Sequence, residues 1–140
     1  MTLKVVYFTR TGNSRRIAEK IASRLGSELI ELKDTMDWSG PAGYIRGGYY
    51  ASANKDVEIR VSGELNADEY IAVTPLWAGK IVPAFSMLFK NLPKEKVHLV
   101  VSSGGSLLKD REGYRSVTDI THREKNEDER IASLVQKLSA

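Results

Sequence analysis

The sequence predicts an α/β protein built around a parallel sheet, and three observations carry that reading. First, the apolar run Val5-Val6-Tyr7-Phe8 is followed by a helical pattern and then by Glu28-Leu29-Ile30-Glu31-Leu32, the spacing of a βαβ unit. Such a unit implies parallel strands joined by a right-handed crossover. Second, Tyr70-Ile71-Ala72-Val73-Thr74 and Val97-His98-Leu99-Val100-Val101 are short, nearly continuous apolar runs, as expected of strands buried on both faces. Third, the runs ending at Phe8, Thr74 and Val101 each empty into a loop of small or polar residues. In open parallel sheets, ligands bind beyond the carboxyl ends of the strands, where strand order reverses.

Each element has its own signal. Ile17, Ala18, Ile21, Ala22 and Leu25 recur at three- and four-residue spacing, and Gly26 supplies a helix stop. Residues 33–56 are less regular: a short helix is predicted from Pro41, weakened at Gly47-Gly48. Tyr44, Tyr49 and Tyr50 in that stretch either cover the sheet or line a ligand or dimer surface. Val57 to Val61 alternates like a short edge segment, and the strand from Tyr70 is expected to end at Pro75. A helix follows with Pro83 in its first turn, Phe85, Leu88, Phe89 and Leu92 on one stripe, and Pro93 as stop. Leu107 to Tyr114 has room for two helical turns, and Ser116 to Thr121 reads as a fifth strand. Asn126 is placed to cap a final helix, with Glu129 completing a capping box and Ile131, Leu134, Val135 and Leu138 forming its apolar stripe. With no repeat, linker or low-complexity segment, residues 1–140 read as one domain.

Composition narrows the function. At 41% hydrophobic and 28% charged the chain is ordinary for a soluble globular protein, and no apolar run approaches membrane-spanning length. Met1 to Lys4 runs straight into a strand without room for a signal peptide, so a cytoplasmic location is expected. The absence of cysteine excludes disulfides, thiol chemistry, iron–sulfur clusters and Cys-ligated zinc, so any redox chemistry requires a bound cofactor. A net charge of +3 is mild, and the basic residues form no aromatic-interleaved stripe, which argues against nucleic acid binding. His98 lies in an apolar strand and reads as a packed histidine, while His122 sits in a charged stretch and reads as solvated. The two give no metal-site spacing, and no metal is expected. Ser102-Ser103 lacks a general-base partner, which leaves a serine hydrolase without support. No residue is singled out as catalytic.

The loop Thr9-Arg10-Thr11-Gly12-Asn13-Ser14 carries the most chemistry. Short hydroxyls, a glycine and an asparagine at a helix N-terminus present several donors to one anion, and the helix dipole adds ~0.3–1 kcal/mol. A plain helix cap by Asn13 or Ser14 is the alternative reading. The loop lacks both the Walker A ending and the GxGxxG spacing. It resembles the T-x-T-G-N-T/S loop with which flavodoxin-like proteins hold the phosphate of FMN. That resemblance implies a flavodoxin-like fold: a five-stranded parallel sheet of order 2-1-3-4-5 with helices on both faces. In that order the three small-residue loops converge. The fourth helix would be shortened, leaving one side of the sheet short of cover that a partner subunit in a homodimer would supply.

The resemblance also implies roles. Thr9, Thr11, Asn13 and Ser14 would donate side-chain bonds to the phosphate, with Arg10, Gly12 and the loop amides contributing backbone donors, and Arg10, Arg15 and Arg16 adding charge. Pro75-Leu76-Trp77-Ala78-Gly79 matches the family loop whose aromatic residue packs on one face of the flavin, which makes Trp77 the stacking candidate. Ser102, Ser103, Gly104 and Gly105 would skirt the pyrimidine edge of the flavin with backbone donors. Electron-carrying members often place Gly-Asp after the aromatic and a tyrosine in this last loop, whereas this chain has Ala78-Gly79-Lys80 and no aromatic there. Electron carriers of this kind are also typically acidic. The sequence therefore points to an FMN-dependent oxidoreductase with one flavin face open, passing electrons from NAD(P)H to a small acceptor such as a quinone. The alternative is a non-catalytic electron carrier docking a protein redox partner, and a scaffold that has lost FMN is opposed by the intact phosphate loop.

Overall fold

The computed structural model describes residues 1–139. Its strands are β1 (Leu3–Tyr7), β2 (Glu28–Asp34), β3 (Ile59–Val61), β4 (Glu69–Trp77), β5 (Lys80–Ile81), β6 (Val97–Ser103) and β7 (Ser116–Thr121). Its helices are α1 (Asn13–Leu25), α2 (Gly40–Ser52), α3 (Pro83–Leu88) and α4 (Glu127–Ser139). The parallel strands lie in the order β2-β1-β4-β6-β7, with Val5 opposite Leu29 on one side and Ile71 on the other. Counting parallel members alone, this is the order expected. The sheet has seven strands, however, because β3 pairs antiparallel with the outer edge of β2 and β5 folds back antiparallel on β4. The first addition shields an edge that would otherwise expose its N–H and C=O groups.

Alternation along each strand sends side chains to two separate cores. Val5, Tyr7, Ile71, Val73, Val100 and Ile120 face Ile17 and Ile21 of α1 and Ile131 and Leu134 of α4. On the opposite face Val6, Phe8, Ile30, Leu32, Leu99 and Val101 pack with Trp38, Phe85, Leu88 and Leu108. Gly26, at a φ of 63°, ends α1 as expected. His98 is buried, with Nδ1 2.8 Å from the Ser116 hydroxyl and Nε2 2.7 Å from Glu69, so it ties β4, β6 and β7 together as a packed histidine.

Six expectations need correction. Strand β4 runs past Pro75 to Trp77, because pairing of Leu76 with Ile81 and of Trp77 with Lys80 supplies partners beyond the proline. Helix α2 continues through Gly47-Gly48 to Ser52, and α3 is shorter than its stripe suggests, ending at Leu88. Residues 107–114 form turns and extended chain instead of two helical turns, with Leu108 buried against the core and Tyr114 packed on Phe89. The Asn126 side chain turns back to Thr121, its Oδ1 accepting from the Thr121 N–H at 2.9 Å, so no capping box forms. His122 is half-buried with its Nε2 enclosed, not solvated. Among the described residues no helix is long and apolar enough to cross a membrane.

Helices α1 and α4 are joined by charge. Glu127 accepts from Arg16 at 2.6 Å and from Lys20 at 2.7 Å. The Arg16 hydrogen bond is the main reason its carboxyl is pulled down to about 2, with burial opposing and Lys20 assisting. A depressed carboxylate stabilises the fold at pH values above the ordinary 4.5 and loses that contribution as pH falls through 2. Because Arg16 and Lys20 are partly exposed, solvent screening leaves at most ~1 kcal/mol per pair. Unfolding followed from pH 5 to pH 2 is expected to show this loss in the wild type and a flatter profile in Glu127→Gln.

Candidate flavin site

Strand register brings the three small-residue loops together. The Phe8 N–H donates to the Val73 carbonyl at 3.1 Å, and Pro75 lies opposite Ser102, so the carboxyl ends of β1, β4 and β6 finish side by side.

The first loop is held in shape by its own residues. Gly12 adopts a φ of 95°, its N–H donates to Thr9 Oγ1 at 2.8 Å, and its carbonyl accepts the first helical bond from the Arg16 N–H at 3.0 Å. This left-handed turn is the conformation that glycine adopts without steric cost. The first-turn amides of Asn13, Ser14 and Arg15 precede any intrahelical acceptor and face the loop end. Ser14 is 1% exposed, and its Oγ has no hydrogen-bond partner among the described residues. Leaving a buried hydroxyl unsatisfied costs ~1–3 kcal/mol, which a bound anion accepting from it would offset. Asn13 Oδ1 accepts from Arg16 at 2.8 Å, and its Nδ2 lies 3.4 Å from Thr11 Oγ1.

The three arginines of this region are held by protein partners. Arg15 pairs with Glu19, and Arg16 with Glu127. Arg10 turns its side chain from the loop to α2, donating from Nε to the Trp38 carbonyl at 2.7 Å and from Nη2 to the Gly40 carbonyl at 2.9 Å. Its guanidinium stands 5.8 Å from the centre of the Tyr44 ring. Arg10 thus clamps the first loop to the start of α2, a role with no local sequence signal.

Ala78 and Gly79 both have positive φ, 54° and 77°, and form the two-residue turn of the β4–β5 hairpin. The Lys109 N–H donates to the Gly79 carbonyl at 3.0 Å, and the Lys109 stem lies over Gly79, where an added Cβ would meet its Cε at 2.7 Å. Trp77 packs edge-on to Trp38 at 5.0 Å and Phe8 at 5.7 Å between ring centres. Beneath it lies Gly47, whose Cβ position would be 3.0 Å from the indole. Trp38 in turn donates its indole N–H to the Asp34 carboxylate at 2.9 Å; burial raises the Asp34 carboxyl while that bond and the Met36 N–H pull it down. Part of Trp77 remains open to a cavity of about 190 Å³ that it shares with Arg10, Tyr44, Gly48, Leu76 and Ala78.

In the third loop Ser103 donates to the Ser106 carbonyl at 2.6 Å, and the Gly104 carbonyl accepts from the Arg123 N–H at 3.0 Å. Gly105 lies against the Arg123 guanidinium, with space for a Cβ only 3.1 Å from Cζ, while Gly104 faces open space. Ser102 is buried in β6. Arg123 is thus a loop neighbour that the sequence reading missed, its charged surroundings suggesting only a solvated turn. Among the tyrosines, Tyr114 packs on Phe89, Tyr50 on Trp38 and Tyr49 on Tyr50, which leaves Tyr44 as the one beside the Trp77 cavity. No group of three or more His, Asp or Glu among the described residues is arranged to hold a metal ion.

No protein-family model matches the sequence, and no curated protein does either. Solved structures do match. A flavoprotein from Lactobacillus acidophilus NCFM, crystallised in complex with FMN, superposes with a TM-score of 0.65 at 22% identity, over 91% of this chain and 97% of the other. A protein of Bacteroides eggerthii DSM 20697 described as a flavoprotein gives 0.70 at 18% identity over 99% and 98% of the two chains. The azoreductase AzrA gives 0.51 at 14% identity over 98% and 96%. The chain therefore has the flavodoxin-like fold shared by these proteins.

Proposed function

We propose that this chain binds FMN across the carboxyl ends of β1, β4 and β6 and acts as an oxidoreductase, passing electrons from NAD(P)H to a small acceptor such as a quinone. The buried, unpartnered Ser14 hydroxyl at the start of α1 carries the reading, because it is a donor placed where a phosphate would satisfy it. The complex of the Lactobacillus flavoprotein with FMN, on the same fold, supports it. The residues present fit the group. Ser14, Thr9 and the first-turn amides would hold the phosphate, Trp77 would flank the ring, and the Ser102 to Gly105 loop would approach its polar edge through backbone groups. Bound FMN supplies hydride and electron transfer; the protein supplies orientation and access.

Access favours a reductase over a carrier. The third loop has no aromatic, and Tyr114, the nearest in sequence, is engaged with Phe89. One ring face is thereby left for a flat donor or acceptor. Anaerobic mixing of the FMN-loaded protein with NADH or NADPH is expected to bleach the flavin, and a quinone to restore it. Flavin that only dithionite reduces would favour the electron carrier.

Ser14→Ala separates fold from site. Removing an unpartnered hydroxyl is expected to leave stability unchanged or slightly raised, while FMN affinity falls about tenfold, ~1.4 kcal/mol. Equal affinity for wild type and variant, measured by fluorescence titration, would place the phosphate elsewhere.

A further inference from the structure

A larger cavity, of about 370 Å³, shares no lining residue with the one beside Trp77. It exists because residues 107–114 form no helix: that segment, α3 and the β4–β5 hairpin enclose a hollow instead. Its volume lies within the ~300–1,000 Å³ common for small-molecule sites.

Its walls combine charge with aromatic surface. Lys80, Lys90 and Lys94 all line it, against a single carboxylate, Asp110. Lys90 pairs at 2.9 Å with Asp56, a surface ion pair with both side chains more than half exposed. Lys80 finds only the Ser52 carbonyl, at 3.4 Å, and Lys94 only the Tyr114 ring, 5.0 Å from its centre. Neither ammonium has a carboxylate partner among the described residues. Gathering like charges around one concavity raises its positive potential and attracts an anion. The apolar part of the wall is Ile81, Phe89 and Leu108, with Tyr114 edge-on to Phe89 at 5.8 Å. Burial pushes the Tyr114 phenol up to about 12, so it stays protonated as a hydrogen-bond donor.

We propose that this hollow binds a flat aromatic ligand carrying a phosphate, sulfonate or carboxylate, with the anion held by Lys80 and Lys94 and the ring resting on Phe89 and Leu108. Both walls connect to the hairpin that carries Trp77. Lys80 follows its turn directly, and Lys109, next to Leu108, is bonded to Gly79. A ligand here would touch the hairpin through Lys80 and Ile81, neither of which lines the cavity beside Trp77. The site does not depend on FMN binding.

The test is a titration of the full chain with 1-naphthyl phosphate, followed by amide chemical shifts. Saturable shifts at Lys80, Phe89, Leu108 and Tyr114 are expected. The double variant Lys80→Gln/Lys94→Gln should weaken binding at least tenfold, and the corresponding arginine pair should restore it. Inorganic phosphate should bind more weakly, and 2-naphthylmethanol, which lacks the charge, should not saturate. Affinity unchanged by the glutamine pair, no saturable binding, or shifts confined to the loop around Ser14 would each overturn the proposal. The last would assign the probe to the phosphate loop, leaving the FMN reading intact while removing this one.

Discussion

Gly43→Ala is expected to destabilise the protein by ~3 kcal/mol or more, although alanine is the better helix former. A Cβ at Gly43 would lie 2.1 Å from both the carbonyl carbon and the carbonyl oxygen of Trp38. Those are backbone atoms and cannot swing aside. The same Trp38 carbonyl accepts the Arg10 bond, so displacing it would also loosen the clamp between the first loop and α2. Gly48, five residues further along the same helix, is the control: nothing lies within 4 Å of its Cβ position. Gly48→Ala is expected to stabilise by ~0.5–1 kcal/mol through helix propensity. Chemical denaturation of both variants checks the pair, and a loss below about 1 kcal/mol for Gly43→Ala would mean that α2 does not press on the Trp38 backbone.

Trp77→Ala is expected to act on both fold and site. Sequence alone makes Trp77 a flavin-facing side chain whose removal spares the fold. The structure adds contacts with Trp38 and Phe8 and close seating on Gly47. Truncation would leave a hole in that cluster, costing ~2–4 kcal/mol for a partly buried tryptophan. FMN affinity should fall about tenfold as well, with altered flavin redox potentials. A variant as stable as wild type would contradict the packing role, and an unchanged FMN titration would remove Trp77 from the flavin site.

What the sequence disclosed followed local rules. The run Val5 to Phe8, the stripe from Ile17 to Leu25 and the strands at Tyr70 and Val97 are long enough, and periodic enough, that tertiary context had nothing to overrule. The features it concealed depend on residues distant in the chain. Helix α2 survives Gly47 because that glycine makes room for Trp77, thirty positions away, and no window around Gly47 contains that information. Pro75 is an ordinary strand stop, yet β4 continues because β5 folds back to pair with it. The turn conformation of residues 107–114 reflects Leu108 plugging the core and the Lys109 bond to the hairpin. Arg10 illustrates the same limit within the site. Its position in the loop suggests phosphate charge, whereas its side chain spends its hydrogen bonds on the Trp38 and Gly40 carbonyls.

If the first loop cradles the phosphate of FMN, a paired titration of the protein with FMN and with riboflavin, which differ only in the phosphate, reads that role out directly. Tryptophan quenching gives both dissociation constants. FMN is expected to bind at least tenfold more tightly than riboflavin, a difference of ~1.4 kcal/mol or more, and Ser14→Ala to narrow the gap. Equal affinities for the two flavins, or no binding of either, would contradict it.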